Sequence, residues 1–245
     1  MNDETVLQEK RDQSKQRMEK LQKHLAEGFD YPNHHKISHR IDAVQAMGEA
    51  QLLDDAKTET PRILALAGRI MARRLMGKAS FFHLQDGTGK LQIYARANDL
   101  GKMYEAFSAW DIGDIVHVTG RLFKTKVGEL SLWADGLTLL TKSLHPLPDK
   151  YHGLTDKELC YRRRYLDTMV NEDSKARFVA RSKVVKALRQ RLDSEGYMEV
   201  ETPMLQTLAS GANARPFSTY HNALHMDLHL RIAPELNLKR LVVGG

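Results

Sequence analysis

Residues 64–95 read LALAGRIMARRLMGKASFFHLQDGTGKLQIYA, and the spacing of their apolar side chains decides the fold. Leu64, Leu66 and Ile70 alternate in one run, Ser80 to Gln85 forms a second, and Leu91, Ile93 and Ala95 alternate in a third. A period of two belongs to a strand with one buried face. The second run is stopped by Asp86-Gly87-Thr88-Gly89, a cluster of turn formers. Leu100, Met103, Tyr104 and Phe107 then recur at helical spacing, which predicts a helix from Asp99 to Trp110. Two more strand-like runs follow, Ile115 to Lys124 and Glu129 to Leu140, joined near Gly128. Three strands, a helix and two strands are the order of an OB-fold barrel; another small β-barrel or a sandwich fits the same pattern.

Such a barrel presents an outer face to single-stranded nucleic acid, where aromatic rings stack bases and cations hold phosphates. Arg69, Arg73, Arg74 and Lys78 cluster around the end of the first run. Phe81 and Phe82 are adjacent, so one must point inward and the other outward, and the outward ring is a candidate for stacking. Gln92 and Glu129 are candidate readers of a base edge, because fixed donors and acceptors discriminate bases where stacking does not.

The bulk composition agrees with a nucleic-acid partner without demanding one. The formal charge is +6, and residues 61–145 hold twelve Lys/Arg against seven Asp/Glu. No run approaches the roughly 18 apolar residues of a membrane helix, and MNDETVLQEKRDQ has no apolar core of a secretory signal. The expectation is a cytoplasmic protein without a membrane partner. Cys160 is the one cysteine, which excludes an intrachain disulfide and a zinc site built on paired thiolates.

On the N-terminal side, residues 5–27 lack Gly and Pro and end at Gly28, which predicts a helix. Between Lys10 and Lys23 it carries six basic and two acidic residues, suiting either a solvated face or an arm for nucleic acid. Residues 28–61 read as a turn and a partly helical connection, with His34 and His35 at the surface. On the C-terminal side, Pro146 and Pro148 mark a stiff linker. Tyr161-Arg162-Arg163-Arg164-Tyr165 opens a helix to about Met169, and residues 174–195 predict a longer one with Phe178, Val184, Val185, Leu188 and Leu192 as its apolar stripe. Tyr197 to Glu201 reads as a strand ended by Thr202-Pro203.

Several strings then point to one family. GYMEVETP at 196–203 resembles motif 1 of class II aminoacyl-tRNA synthetases, a long helix leading to a strand with a proline at the dimer interface. LHPLPDKYHGL at 144–154, YRRRYLD at 161–167, GANARPF at 211–217 and RIAPELNLKRLVVGG at 231–245 are similar to the bacterial lysyl-tRNA synthetases within that class. RRLMGKASFFHLQD at 73–86 and LFKTKVGELS at 122–131 resemble the same family's anticodon-binding domain. Aspartyl- and asparaginyl-tRNA synthetases share the architecture, but the APELNLKR string favours lysine.

The resemblance implies an α+β chain: an N-terminal helix, a five-stranded OB-fold barrel, and the start of a class II catalytic domain on an antiparallel sheet. The expected divisions are 1–61 for the basic helix and connection, 62–143 for the anticodon barrel, 144–158 for a linker, and 159–245 for an incomplete catalytic domain. Arg74, Phe81, Gln92 and Glu129 would contact a uridine-rich anticodon, Gly211 and Glu235 would belong to a lysine pocket, and Pro203 would lie at a homodimer interface. An ordinary helix-start glutamate after Pro234 is the competing reading of Glu235. The implied partners are lysine tRNA, lysine and ATP, and the reaction forms lysyl-adenylate with magnesium and then transfers lysine to tRNA. The arginines and acidic residues that hold ATP and magnesium are expected beyond Gly245, so the 245 residues alone are expected to be inactive, with no catalytic or metal-binding residue assigned among them. A non-catalytic tRNA-binding protein derived from such a synthetase is the alternative.

Overall fold

The computed structural model describes residues 3–51, 63–148, 154–209 and 211–245. Within the expected divisions, residues 52–61 of the connection, Arg62 at the start of the barrel and residues 149–153 of the linker lie outside the described residues. The chain divides into two compact units, Met1–Asn171 and Glu172–Gly245.

The first unit is built on a closed barrel of five strands in the order β1-β2-β3-β5-β4. They are β1 (Leu64–Met76), β2 (Ala79–Gln85), β3 (Lys90–Arg96), β4 (Ile115–Lys124) and β5 (Leu130–Thr141). Every pairing is antiparallel except β3 with β5. The alternation expected from sequence is clearest in β2, where Ser80, Phe82 and Leu84 are buried while Phe81 and His83 face outward. Phe82 packs at 5.0 Å from Phe107, so it is the inward member of the pair. Opposite Thr119 and Gly120 of β4, β5 bulges at Asp135, and a Cβ at Gly120 would collide with the carbonyl oxygen of Trp133. Glycine there lets β4 and β5 close the barrel.

Between β3 and β4 the expected single helix is two, α3 (Ala97–Leu100) and α4 (Lys102–Ala109). Gly101 separates them at φ 53°, a left-handed conformation that breaks the helix, and its amide bonds back to Ala97 as a C-cap. Tyr104, Phe107 and Trp110 join the barrel interior in one buried cluster. Among the buried polar groups, Ser80 Oγ meets the Tyr104 hydroxyl at 2.6 Å.

Two preceding helices, α1 (Asp3–Ala26) and α2 (Ile41–Gln51), dock on this barrel. The α2 helix starts on the β2–β3 turn: Asp86 accepts from the Ile41 amide at 3.0 Å and also from the Thr88 and Gly89 amides at 2.6 and 3.0 Å. One carboxylate therefore caps a helix and closes a turn. The α1 helix buries Leu21, while Arg17 donates to the carbonyls of Ser143 and His145 and Lys20 pairs with Asp111 at 2.8 Å. Two of its six clustered cations are thus docking contacts. His34 is exposed as expected, but His35 is half-buried, stacked between His34 and the buried His117 at 4.4 and 4.7 Å. The unit ends in α5 (Lys157–Arg162) and α6 (Arg164–Val170), two helices where one was expected, because Arg163 leaves helical geometry at φ −119° and ψ 55°.

The second unit holds α7 (Glu172–Ser194), β6 (Leu205–Gln206), β7 (Ser218–His221), β8 (Met226–Leu230) and α8 (Glu235–Val243). Its antiparallel sheet has the order β6-β8-β7. The α7 stripe of Phe178, Val184, Val185, Leu188 and Leu192 is 40–60% exposed within this unit. The strand expected over Tyr197 to Glu201 is absent: those residues join no ladder among the described residues, and pairing begins at Leu205. Alternation alone does not make a strand; a neighbouring edge must take its amides and carbonyls.

Candidate nucleic-acid interface

Strand register brings the four expected anticodon contacts together. Arg74 on β1 pairs with Phe81 on β2, and Phe81 pairs with Tyr94 on β3, so these side chains share the outer face. The Phe81 and Tyr94 rings lie 4.8 Å apart and 35° from parallel. Two residues along the same strands, His83 pairs with Gln92, and Gln92 pairs across the parallel junction with Ser131. Arg74, Phe81, Gln92 and Glu129 all line one cleft of about 400 Å³.

Glu129 is positioned by the β4–β5 turn. Thr125 takes the Glu129 amide on its hydroxyl at 3.0 Å and donates its own amide to the Glu129 carbonyl at 2.9 Å, with Gly128 at φ 84° completing the turn. The Glu129 carboxylate then accepts from Gln92 Nε2 at 2.8 Å, and His83 Nε2 stands 3.8 Å from its other oxygen. The amide oxygen of Gln92 accepts from the buried Ser131 hydroxyl at 2.8 Å. This set offers a half-exposed ring, a cation, a carboxylate and an oriented amide, the residue types that stack a base, hold a phosphate and read a base edge.

The four-residue cation cluster is divided by the fold. Arg69 donates to the Gly113 carbonyl at 2.6 Å. Arg73 donates to the carbonyls of Phe107 and Ser108 at 3.0 and 3.2 Å, closing the C-terminal end of α4. Burial pulls both guanidinium pKa values down, partly offset by Asp114 for Arg69 and by Asp111 and Asp114 for Arg73. Arg73, half-buried, and Arg74, exposed, both line the cleft, and of the two Arg74 is the one not tied to these carbonyls. Sequence reading missed His83 and Thr125, which line the same cleft. His83 was recoverable, since it lies two residues beyond Phe81 and so on the same face of β2.

In the second unit, Gly211 adopts φ +99°, and a Cβ there would meet the Ala233 Cβ at 3.1 Å. That contact places Gly211 beside the segment leading into Glu235, the first residue of α8. The Glu235 carboxylate is exposed and accepts from Lys239 at 2.6 Å, and the Lys239 ammonium holds its carboxyl below the usual carboxylate range. Pro203 is exposed, next to Thr202, whose carbonyl accepts from Arg231 at 2.9 Å. Among the described residues no group of three or more His, Cys, Asp or Glu side chains could hold a metal ion. No described helix is long and apolar enough to cross a membrane.

Residues 64–140 match the family described as OB-fold nucleic acid binding domain, and residues 156–245 match tRNA synthetases class II (D, K and N). A lysine–tRNA ligase of Legionella pneumophila (strain Lens) is 52% identical over 232 residues, which are 94% of this chain and 46% of that protein. The chain is a homologue of lysine–tRNA ligases. A second lysine–tRNA ligase, from Coxiella burnetii (strain Dugway 5J108-111), is 51% identical over 240 residues, 98% of this chain and 48% of that protein. The chain thus spans about half the length of the curated lysine–tRNA ligases it matches. The closed barrel coincides with the OB-fold match, and the matched synthetase residues run from α5 to α8.

Proposed function

We propose that this chain is part of a lysine–tRNA ligase and that its barrel holds the tRNA anticodon. The observation that carries this reading is the convergence of Arg74, Phe81, Gln92 and Glu129 on one cleft of the barrel's outer face. Phe81 stacks an anticodon base, Arg74 neutralises a phosphate, and Gln92 with Glu129 reads a uracil edge, whose N3–H donates and whose O4 accepts. Residues 62–143 form the anticodon domain, 144–158 the connection and 159–245 part of the catalytic domain. Gly211 and Glu235 contribute to the lysine pocket, where the carboxylate exchanges its Lys239 partner for the substrate ammonium. Pro203 and the exposed α7 stripe face a second copy of the chain.

The whole enzyme would join lysine to ATP as lysyl-adenylate and pass the lysyl group to tRNA. Such chemistry rests on positioning and charge neutralisation rather than covalent participation by the protein. ATP and magnesium enter at the level of the family; the described residues offer no acidic cluster for the metal. The test is binding of the 245-residue chain to lysine-tRNA anticodon stem-loops. Cognate RNA should bind more tightly than a noncognate stem-loop, and Phe81→Ala should weaken it by about 1–3 kcal/mol, the worth of one stacked base. Equal affinity for both RNAs, or no loss in Phe81→Ala, would reject the reading.

A further inference from the structure

The geometry points to Ser131 as a positioning residue that makes Gln92 read uracil in preference to cytosine, an inference that rests on the anticodon reading above. Ser131 lies on β5 opposite Gln92, is fully buried, and points its hydroxyl at the Gln92 amide oxygen over 2.8 Å. At its other end the same amide donates from Nε2 to the Glu129 carboxylate over 2.8 Å. A carboxylate only accepts, so the amino end of the amide must face Glu129 and the oxygen end must face Ser131. The side chain is therefore pinned at both ends in a single orientation, with one N–H and one lone pair left for a ligand.

That orientation matters because an amide is chemically ambivalent. Uracil presents a donor at N3 and an acceptor at O4; cytosine presents an acceptor at N3 and an amino donor in place of O4. A glutamine free to turn its amide over satisfies either base. A glutamine whose amino end is held by the acceptor-only Glu129 carboxylate, and whose oxygen takes the one Ser131 proton, meets cytosine with donor against donor and acceptor against acceptor. Ser131 thus acts through Gln92, without touching RNA itself. The Ser131 hydroxyl has one proton, and its 2.8 Å contact to the Gln92 oxygen is far shorter than the 3.4 Å to the Glu129 carbonyl, so that proton goes to Gln92.

The experiment measures dissociation constants of the 245-residue chain for a hairpin RNA with a uridine loop and for the same hairpin with cytidine replacing uridine. Ser131→Ala should lower the uridine-to-cytidine affinity ratio by about tenfold, the scale of one lost hydrogen bond with an unsatisfied partner. Ser131→Cys, which fills the same space with a weak donor, should lower it by less and serves if the alanine variant does not fold. In a Gln92→Ala background, Ser131→Ala should leave the ratio where Gln92→Ala put it, as expected for a residue acting through the amide. An unchanged ratio in both Ser131 variants, or the same additional loss without Gln92, overturns the role. If Phe81→Ala and Gln92→Ala also leave uridine binding intact, the anticodon reading itself falls. If those two weaken binding and the Ser131 variants keep the wild-type ratio, only the positioning role falls.

Discussion

Lys142 is paired with Asp114 in the interior, its ammonium 3.0 and 2.8 Å from the two carboxylate oxygens, and both side chains are completely shielded from solvent. Asp114 also accepts from the Ser143 and Asp111 amides, and Lys142 reaches Asp111 as well. The cluster joins the ends of β4 and β5 to the loop after α4, with Lys20 of α1 on its outer side. Removing the ammonium alone strands a buried carboxylate, so Lys142→Met should cost about 3–5 kcal/mol. Urea denaturation followed by circular dichroism measures it; a loss below about 1 kcal/mol would mean that solvent reaches Asp114.

Acid should loosen the same region. Burial raises the Asp111 carboxyl pKa, but hydrogen bonds from Lys142 and Lys20 outweigh it and leave the net value below the ordinary one. Asp86 behaves alike: burial opposes ionisation, and the donors from Ile41, Thr88 and Gly89 win. Each folded value lies below the unfolded value of about 3.9. The stability they contribute is present above that pH and lost as pH falls through the folded values. The urea midpoint should therefore fall below about pH 4, and Asp86→Asn should flatten part of that fall.

Arg74 is an exposed cation at the rim of the cleft, in contrast to Arg69 and Arg73, whose guanidinium groups hold backbone carbonyls. Arg74→Ala should weaken RNA binding for uridine and cytidine loops alike and reduce the slope of log K against log salt by about 1. Arg73→Ala should instead lower the unfolding midpoint, since it uncaps α4. An unchanged salt slope in Arg74→Ala would place its contact on a base rather than a phosphate.

The 245-residue chain alone should not support lysine-dependent exchange of pyrophosphate into ATP. Its candidate lysine carboxylate, Glu235, is exposed and paired with Lys239, and Gly211 is exposed against Ala233, two residues before Glu235. Exchange above background by the purified chain would show that these residues already form a working pocket.

Much of the site was legible in one dimension because strand alternation is a local property. Adjacent Phe81 and Phe82 had to part, the family resemblance named Phe81 and Gln92 as anticodon contacts, and the structure buries Phe82 and leaves Phe81 outward. The strings at 196–203 and 231–245 carried the synthetase family for the same reason: motif identity is written residue by residue. Helix ends were less legible, since nothing in the apolar spacing of residues 99–110 announces that Gly101 will adopt a positive φ.

Sequence by itself therefore determined the run of three strands, a helical segment and two strands, and the kinship with lysine–tRNA ligases; the closing of those strands into a barrel and the choice of Phe81 as the outward ring came from the tertiary structure. Tertiary structure alone decided which cations are spent on the fold. Arg17, Lys20, Arg69 and Arg73 all looked available for RNA, yet each holds a carbonyl or a carboxylate contributed by a distant part of the chain. It also decided that Tyr197 to Glu201 pairs with nothing among the described residues, and that Gln92 lies between Ser131 and Glu129. Those outcomes depend on partners tens of residues away, and a hydrogen bond is fixed by its partner's position, which local periodicity does not encode.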